Sequence, residues 1–241
     1  MRFLLIIVFI FLSQVGISQW TQYGQSILGE AEGDESGRSV AINASGRIVA
    51  IGSHKNDGGG NLSGSVRVYQ NTSFLNTSLW YQLGSDIDGG LNTDQSGYTV
   101  SMSGDGYTIA VTHINLTPAI VKVYRYRDNE WVQIGENITG LEDNSEFFGV
   151  STSLSFDGNI IVIGDSKGFN SKGYVQIFNY SNSKWNQVGE TIQGEAAADE
   201  SGFSVSISDN GKIIAIGAPQ NDANGDKSGH VRIYENIDDE W

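Results

Sequence analysis

The chain has 241 residues, with 28 acidic against 14 basic side chains and a net charge of −14. That balance excludes nucleic-acid binding, which needs a basic footprint, and is repelled by anionic membrane surfaces; cations, basic proteins and neutral glycans are the partners it leaves. Cysteine is absent, which excludes a disulfide framework and thiolate chemistry and fits a bacterial exported protein.

The first residues predict a secretory signal peptide over 1–18. Arg2 supplies the positive start, and Phe3 to Leu12 is an apolar run too short to span a membrane. Gly16 and Ser18 are small residues before a cut ahead of Gln19. The alternative is a buried first strand or an uncleaved anchor. No later run approaches membrane length, so a secreted or cell-surface location is expected, with no further transmembrane segment.

From residue 19 to 241 the chain repeats itself. Trp20, Trp80, Trp131 and Trp185 each open W-x-Q-x-G, and Trp241 begins a fifth copy. Within each repeat Gly37, Gly97, Gly149 and Gly202 stand nine residues before a turn glycine, at Gly46, Gly106, Gly158 and Gly211. Six residues later come Gly52, Thr112, Gly164 and Gly217. A β-branched and aromatic stretch follows: VRVY from Val66, VKVY from Val121, VQIF from Val175, VRIY from Val231. The segments are short, alternating and bounded by turn residues, which is the signature of strands. ASG, GDG, FDG and DNG are tight hairpin signals between them. Each repeat therefore holds four strands, here called A, B, C and D, with D starting at the tryptophan.

Four-stranded antiparallel units at this period predict an all-β fold, a β-propeller with about four blades, standing alone or as part of a larger propeller. Strand A alternates Ser204 and Ser206 with Val205 and Ile207. One face is small because blades lie close together near the axis. Aromatic residues such as Tyr69, Tyr124, Phe178 and Tyr234 fill the wider outer gap. A parallel β-solenoid is the competing fold. Closure of a four-blade ring by the first D strand, Trp20 to Leu28, competes with the reading that the chain is part of a longer protein.

These residues resemble the FG-GAP repeat, the blade unit of integrin α-chain propellers and of many bacterial surface proteins. Phe148-Gly149 and Gly217-Ala218-Pro219 carry the two halves of that pattern literally. The resemblance covers essentially all of residues 19–241 and implies adhesion to a protein or glycan. The family's calcium loop, D-x-D-x-D-G between strands A and B, is reduced here to NASG, SGDG, SFDG and SDNG. Four residues cannot supply the roughly six to eight oxygen ligands that Ca²⁺ takes. Asp105, Asp157 and Asp209 are therefore read as turn residues.

Two acidic constellations remain as metal candidates, with Ca²⁺ the cation they would take. Asp34, Asp94, Glu146 and Asp199 stand three residues before each strand-A glycine. They form either a carboxylate ring at the channel mouth or local turn acceptors, and the turn reading is preferred. Asp222, Asn224 and Asp226 alternate in the B–C loop NDANGDKSG like ligands of a hard cation, but without a closing bidentate Glu. No catalytic motif is present: His54, His113 and His230 lack metal spacing, and there is no nucleophile elbow or phosphate loop. The expected function is a non-catalytic binding module holding a protein or glycan on the D–A and B–C loop face. The alternatives are a hydrolytic or carbohydrate-active propeller and a structural spacer.

Overall fold

The computed structural model describes residues 20–74, 77–141 and 145–241. The expected signal peptide lies outside the described residues. Four antiparallel sheets follow one another along the chain. Blade 1 comprises β1 (Ser39–Ile42), β2 (Ile48–Ser53), β3 (Ser65–Phe74), β4 (Thr77–Gln82) and β5 (Ile87–Asp88). Blade 2 comprises β6 (Ser96–Met102), β7 (Thr108–His113), β8 (Ile120–Arg127), β9 (Glu130–Gln133) and β10 (Ile138–Thr139). Blade 3 comprises β11 (Phe148–Leu154), β12 (Ile160–Asp165), β13 (Tyr174–Ser181), β14 (Lys184–Gln187) and β15 (Ile192–Gln193). Blade 4 has three strands: β16 (Ser204–Ile207), β17 (Ile213–Ala218) and β18 (His230–Glu235).

This is a β-propeller arrangement, because the first strands of consecutive blades pack side by side, β1 on β6, β6 on β11 and β11 on β16. The contact is close enough to dictate residue type. Ser39 donates its hydroxyl to the Gly97 carbonyl of the next blade at 2.8 Å, and Ser151 does the same to Gly202 at 2.7 Å. In the middle blade Thr112 reaches Gly149 at 2.8 Å. A β-carbon on Gly52 would lie 2.2 Å from the Gly97 carbonyl oxygen, and one on Gly164 would lie 2.1 Å from that of Gly202. The small face expected of strand A is thus set by backbone pressed against side chain.

The hydrophobic core is divided in the same way, with one cluster at each junction. Val66 and Val68 of blade 1 meet Val100, Ile109 and Val111 of blade 2. Val121 and Val123 meet Phe148, Ile161 and Ile163. Val175 and Ile177 meet Ile214 and Ile216. Blades 2 and 3 are apolar on both faces, each packing on a neighbour on either side.

Two features differ from the four-strand expectation. The D strand is broken in two, so the first three sheets hold five strands each. The break falls at Gly84, whose φ of 77° turns the chain before β5 rejoins β3. The next blade's tryptophan fills the notch: Trp131 donates its indole N–H to the Leu83 carbonyl at 2.7 Å, and a β-carbon on Gly84 would lie 2.8 Å from its ring. Trp80 on Tyr23 and Trp185 on Ile134 make the same bond, at 3.0 and 2.9 Å. W-x-Q-x-G is therefore a tryptophan that reaches back and a glycine that receives the next one. The second difference concerns residues 20–28, which form no strand and do not pair with β18. With no C strand beside them, their backbone has no ladder to join.

Trp131→Ala should lower stability by about 3–5 kcal/mol through the lost ring. Trp131→Phe keeps most of the packing and should cost about 1 kcal/mol more than the lost contacts alone, for the missing indole bond. Urea unfolding followed by circular dichroism distinguishes these outcomes.

Candidate functional site

The D–A and B–C loops gather at one end of the arc, and each blade ties its pair together through a buried side chain. In blade 1 the Asp34 carboxylate accepts the Ala31 N–H at 3.1 Å and the Asn56 amide at 2.9 Å. In blade 4 Asp199 accepts the Ala196 N–H at 3.0 Å and the Asn221 amide at 2.8 Å. In blade 2 Asp94 accepts the Gly90 N–H at 3.0 Å, and its other oxygen meets His113 Nδ1 at 2.9 Å. The three carboxylates are buried, each within its own blade. They act as local turn acceptors, each closing the turn that precedes it.

Blade 3 departs from the pattern. Glu146 is exposed and makes no clasp. The Tyr174 hydroxyl takes over the task, accepting the Leu141 N–H at 3.0 Å and meeting the Ser145 hydroxyl at 3.3 Å. Burial pushes the Tyr174 pKa up to about 12, helped by the nearby Asp165 charge, so the hydroxyl stays a hydrogen-bonding group. The structure thus does not bring Asp34, Asp94, Glu146 and Asp199 into a ring around one cation.

The second metal candidate also resolves into loop chemistry. Asp222 accepts the Lys227 N–H at 2.7 Å, and Asn224 donates its N–H to the Ser228 hydroxyl at 3.3 Å. Asp226 is exposed. Blade 1 repeats the construction: Asp57 accepts the Leu62 N–H at 2.7 Å, and Gly59 donates to the Ser63 hydroxyl at 3.2 Å. The alternation of oxygen-bearing residues shapes a turn. Among the described residues no group of three or more His, Asp or Glu side chains is placed to hold a metal ion. Two of the A–B turn acids behave as read from sequence, Asp105 and Asp157 accepting the N–H groups of Tyr107 and Asn159 at 2.9 and 3.0 Å; in blade 4 Asn210, not Asp209, has that place and accepts the Lys212 N–H at 3.1 Å.

Asn56, Asn221 and His113 are the partners that the sequence reading missed. A signal existed for the first two, since the pattern N-D-x5-S-G recurs at Asn56 and Asn221. None existed for His113, which occupies a different register position from either asparagine. Its ring is fully buried, and Nε2 has no partner. Burial holds its pKa below 6.5 against the pull of Asp94. Burial would raise Asp94, but the His113 bond and charge and the Gly90 N–H outweigh it and hold it below the usual carboxylate range.

The face carries two neighbouring hollows, one of about 330 Å³ lined mainly by polar residues of blade 3, and a more apolar cleft of about 280 Å³ between blades 2 and 3. Tyr98, Ile114, Leu116 and Phe147 supply apolar and aromatic walls, and Asn115, Thr117 and Glu146 supply polar ones. Tyr98 is braced from blade 1 by the Arg38 guanidinium, 4.3 Å above its ring, and by an edge contact with His54. Phe147 is 36% exposed.

A β-propeller with loops closed by side-chain clasps is the class that fold and site define. Residues 185–234, about a fifth of the chain, match the FG-GAP repeat family. No curated protein matches the chain in sequence. Among solved structures it is similar to a proposed 6-phosphogluconolactonase of Bacteroides uniformis, at 16% identity and a TM-score of 0.54, covering 83% of this chain and 50% of that one. The hydrazine synthase of Kuenenia stuttgartiensis matches at 16% identity and 0.53, covering 83% and 51%. The periplasmic gluconolactonase of Pseudomonas aeruginosa matches at 14% and 0.50, covering 83% and 57%. These likenesses show the fold alone. The chain spans about half the length of the solved structures it matches.

The clasps predict two outcomes. Both oxygens of Asp94 are in use, so Asp94→Ala should cost about 2–4 kcal/mol by leaving His113 and the Gly90 N–H without partners. Asp199 uses one oxygen for both of its bonds, so Asp199→Asn should cost less than about 1 kcal/mol by urea unfolding. Stability should also fall on acidification. His113 has a folded pKa below its unfolded 6.5, so the unfolded chain binds the proton first and stability drops as pH falls from 6.5. Asp94 adds a further loss below 3.8. His113→Gln should flatten the upper part of this decline in melting temperature; His54, also pushed down chiefly by burial, keeps the remainder.

Proposed function

We propose that this chain is an exported β-propeller module that binds a glycan or protein ligand on its loop face and carries out no chemistry. The observation that carries this reading is the Tyr98–Phe147 cleft. It places two aromatic side chains, one held by a cation and one presented to solvent, beside amide, hydroxyl and carboxylate groups. Aromatic walls with a few polar groups suit a sugar ring or an extended peptide. Beside the cleft the Asp94–His113 and Ser145–Tyr174 contacts tie loop residues to the strands, which gives a ligand a braced surface to meet.

Export rests on the predicted signal peptide and accords with the FG-GAP repeat. Among the described residues no helix is long and apolar enough to cross a membrane. A hydrolytic reading finds less support. The pair with the look of catalytic machinery, Asp94–His113, is sealed from solvent, where no substrate reaches it.

Binding to an array of neutral glycans and extracellular proteins tests the reading. A hit should weaken at least about tenfold in Tyr98→Ala and in Phe147→Ala, the loss expected of an anchoring aromatic. Melting temperature should fall only modestly in Phe147→Ala, since more than a third of that residue is already exposed. Silence across the array would favour a spacer, and turnover of lactone or glycoside substrates would replace binding with catalysis.

A further inference from the structure

Blade 3 carries a buried acid that its loop clasp does not use. Asp165 ends β12 and is fully buried. The other blades have Ser53, His113 and Ala218 at this repeat position, so the fold itself requires no carboxylate there. One oxygen, Oδ1, accepts the Lys167 N–H at 3.0 Å and the Gly168 N–H at 2.9 Å. Oδ2 has no hydrogen-bond partner among the described residues. A buried carboxylate oxygen without a donor is costly, and it calls for one that these residues do not supply.

Asp165 lines the 330 Å³ hollow on the loop face, and the groups around it define what that donor must be. Glu146 adds a second carboxylate, which is exposed. Lys167 in the same wall is already paired with Glu200. The hollow is therefore left with uncompensated negative charge. A neutral hydroxyl satisfies the hydrogen bond of Oδ2 but leaves the charge; an ammonium group answers both. The opposite wall holds Asn170 and Ser171, from a turn in which Phe169, Asn170 and Ser171 have φ of 53°, 61° and 60°. Three successive left-handed residues, none of them glycine, are strained, and such strain gathers at ligand sites. The matching loops of blades 1 and 4 each have one, Leu62 and Lys227.

Glu146 and Phe147 border both the hollow and the Tyr98–Phe147 cleft, so the two share a wall. We propose that the loop face binds a glycan bearing a free, positively charged amino sugar: one ring stacks in the cleft, and the amino sugar next to it sits in the hollow with its ammonium group on Asp165 Oδ2 and Glu146. This rests on the binding function proposed above and names its ligand class. A glycan fits the hollow better than a basic side chain does, because the amides and hydroxyls of its walls match ring hydroxyls, whereas an alkyl stem needs apolar ones. The net charge of −14 draws a cationic chain to the protein.

Three tetrasaccharides with the same linkage test this by calorimetry: the glucosamine tetramer, its fully N-acetylated form, and cellotetraose. The glucosamine tetramer should bind at least about tenfold more tightly than the other two, less so in added salt. Asp165→Asn keeps an oxygen for the two N–H groups and puts a donor in place of the free one. It and Glu146→Gln should each remove most of that preference, while Tyr98→Ala should weaken all three sugars alike. Unfolding midpoints are measured beside them, and the exposed Glu146 position keeps the test where Asp165→Asn does not fold. Equal binding of charged and neutral tetramers, or a preference that survives both acid variants, would overturn the inference and leave the binding function standing. Peptide ligands alone would overturn it in the same way. Silence of all three sugars together with a silent glycan and protein array would overturn both.

Discussion

Everything in this molecule follows from how closely one blade approaches the next. The inner strands come near enough for a serine hydroxyl to bond a backbone carbonyl of the neighbouring sheet, as Ser39 does to Gly97. At that distance there is no room for a β-carbon at Gly52 or Gly164. Small residues are thus a steric requirement near the axis, and the apolar volume moves outward along each sheet. There the gap widens enough to take an indole, and the Trp131–Gly84 contact fills it. One geometric constraint sets both the serine-rich strand A and the tryptophan that marks each repeat.

The loop face obeys a second rule, the satisfaction of buried polar groups. Long connections must close on themselves at the end of a rigid sheet, and their N–H groups need acceptors. Asp34 and Asp199 provide these from one loop while holding an asparagine amide from the other. Asp94 reaches the same end with a histidine, and Tyr174 does so without an acid. Three chemistries serve one purpose, so the recurring carboxylate reflects the loop and not a shared ion. The excess of acid on this face is partly spent inside it.

How much of this was legible in the sequence depends on whether the cause was local or between blades. Strands, hairpins and the period were readable, because each repeat restates its own alternation and turn glycines. The small face of strand A was readable for the same reason. The function of W-x-Q-x-G was not, since its tryptophan and its glycine contact different blades, and spacing along one repeat cannot show that. The same limit applies to the acids. Asp94 and Asp199 look alike in sequence, yet one pairs with His113 and the other with Asn221, at positions with different offsets in the following loop. The break after Gly84 was hidden because a left-handed glycine and a two-residue strand leave no periodic trace.

A repeat fold also carries an inherent asymmetry. Every blade has a face for a neighbour on each side, and among the described residues the first and last blades are covered only on the inward one. Exposed branched side chains at Val231 and Ile233 are therefore not ordinary surface variation; the residue types remain those of a buried junction while the exposure changes from about none to most of the side chain. Ordinary surface positions tolerate apolar residues singly, but a whole sheet face of them raises the free energy of the isolated arc. The unpaired edge of β18 adds to this, since a free ladder invites another strand.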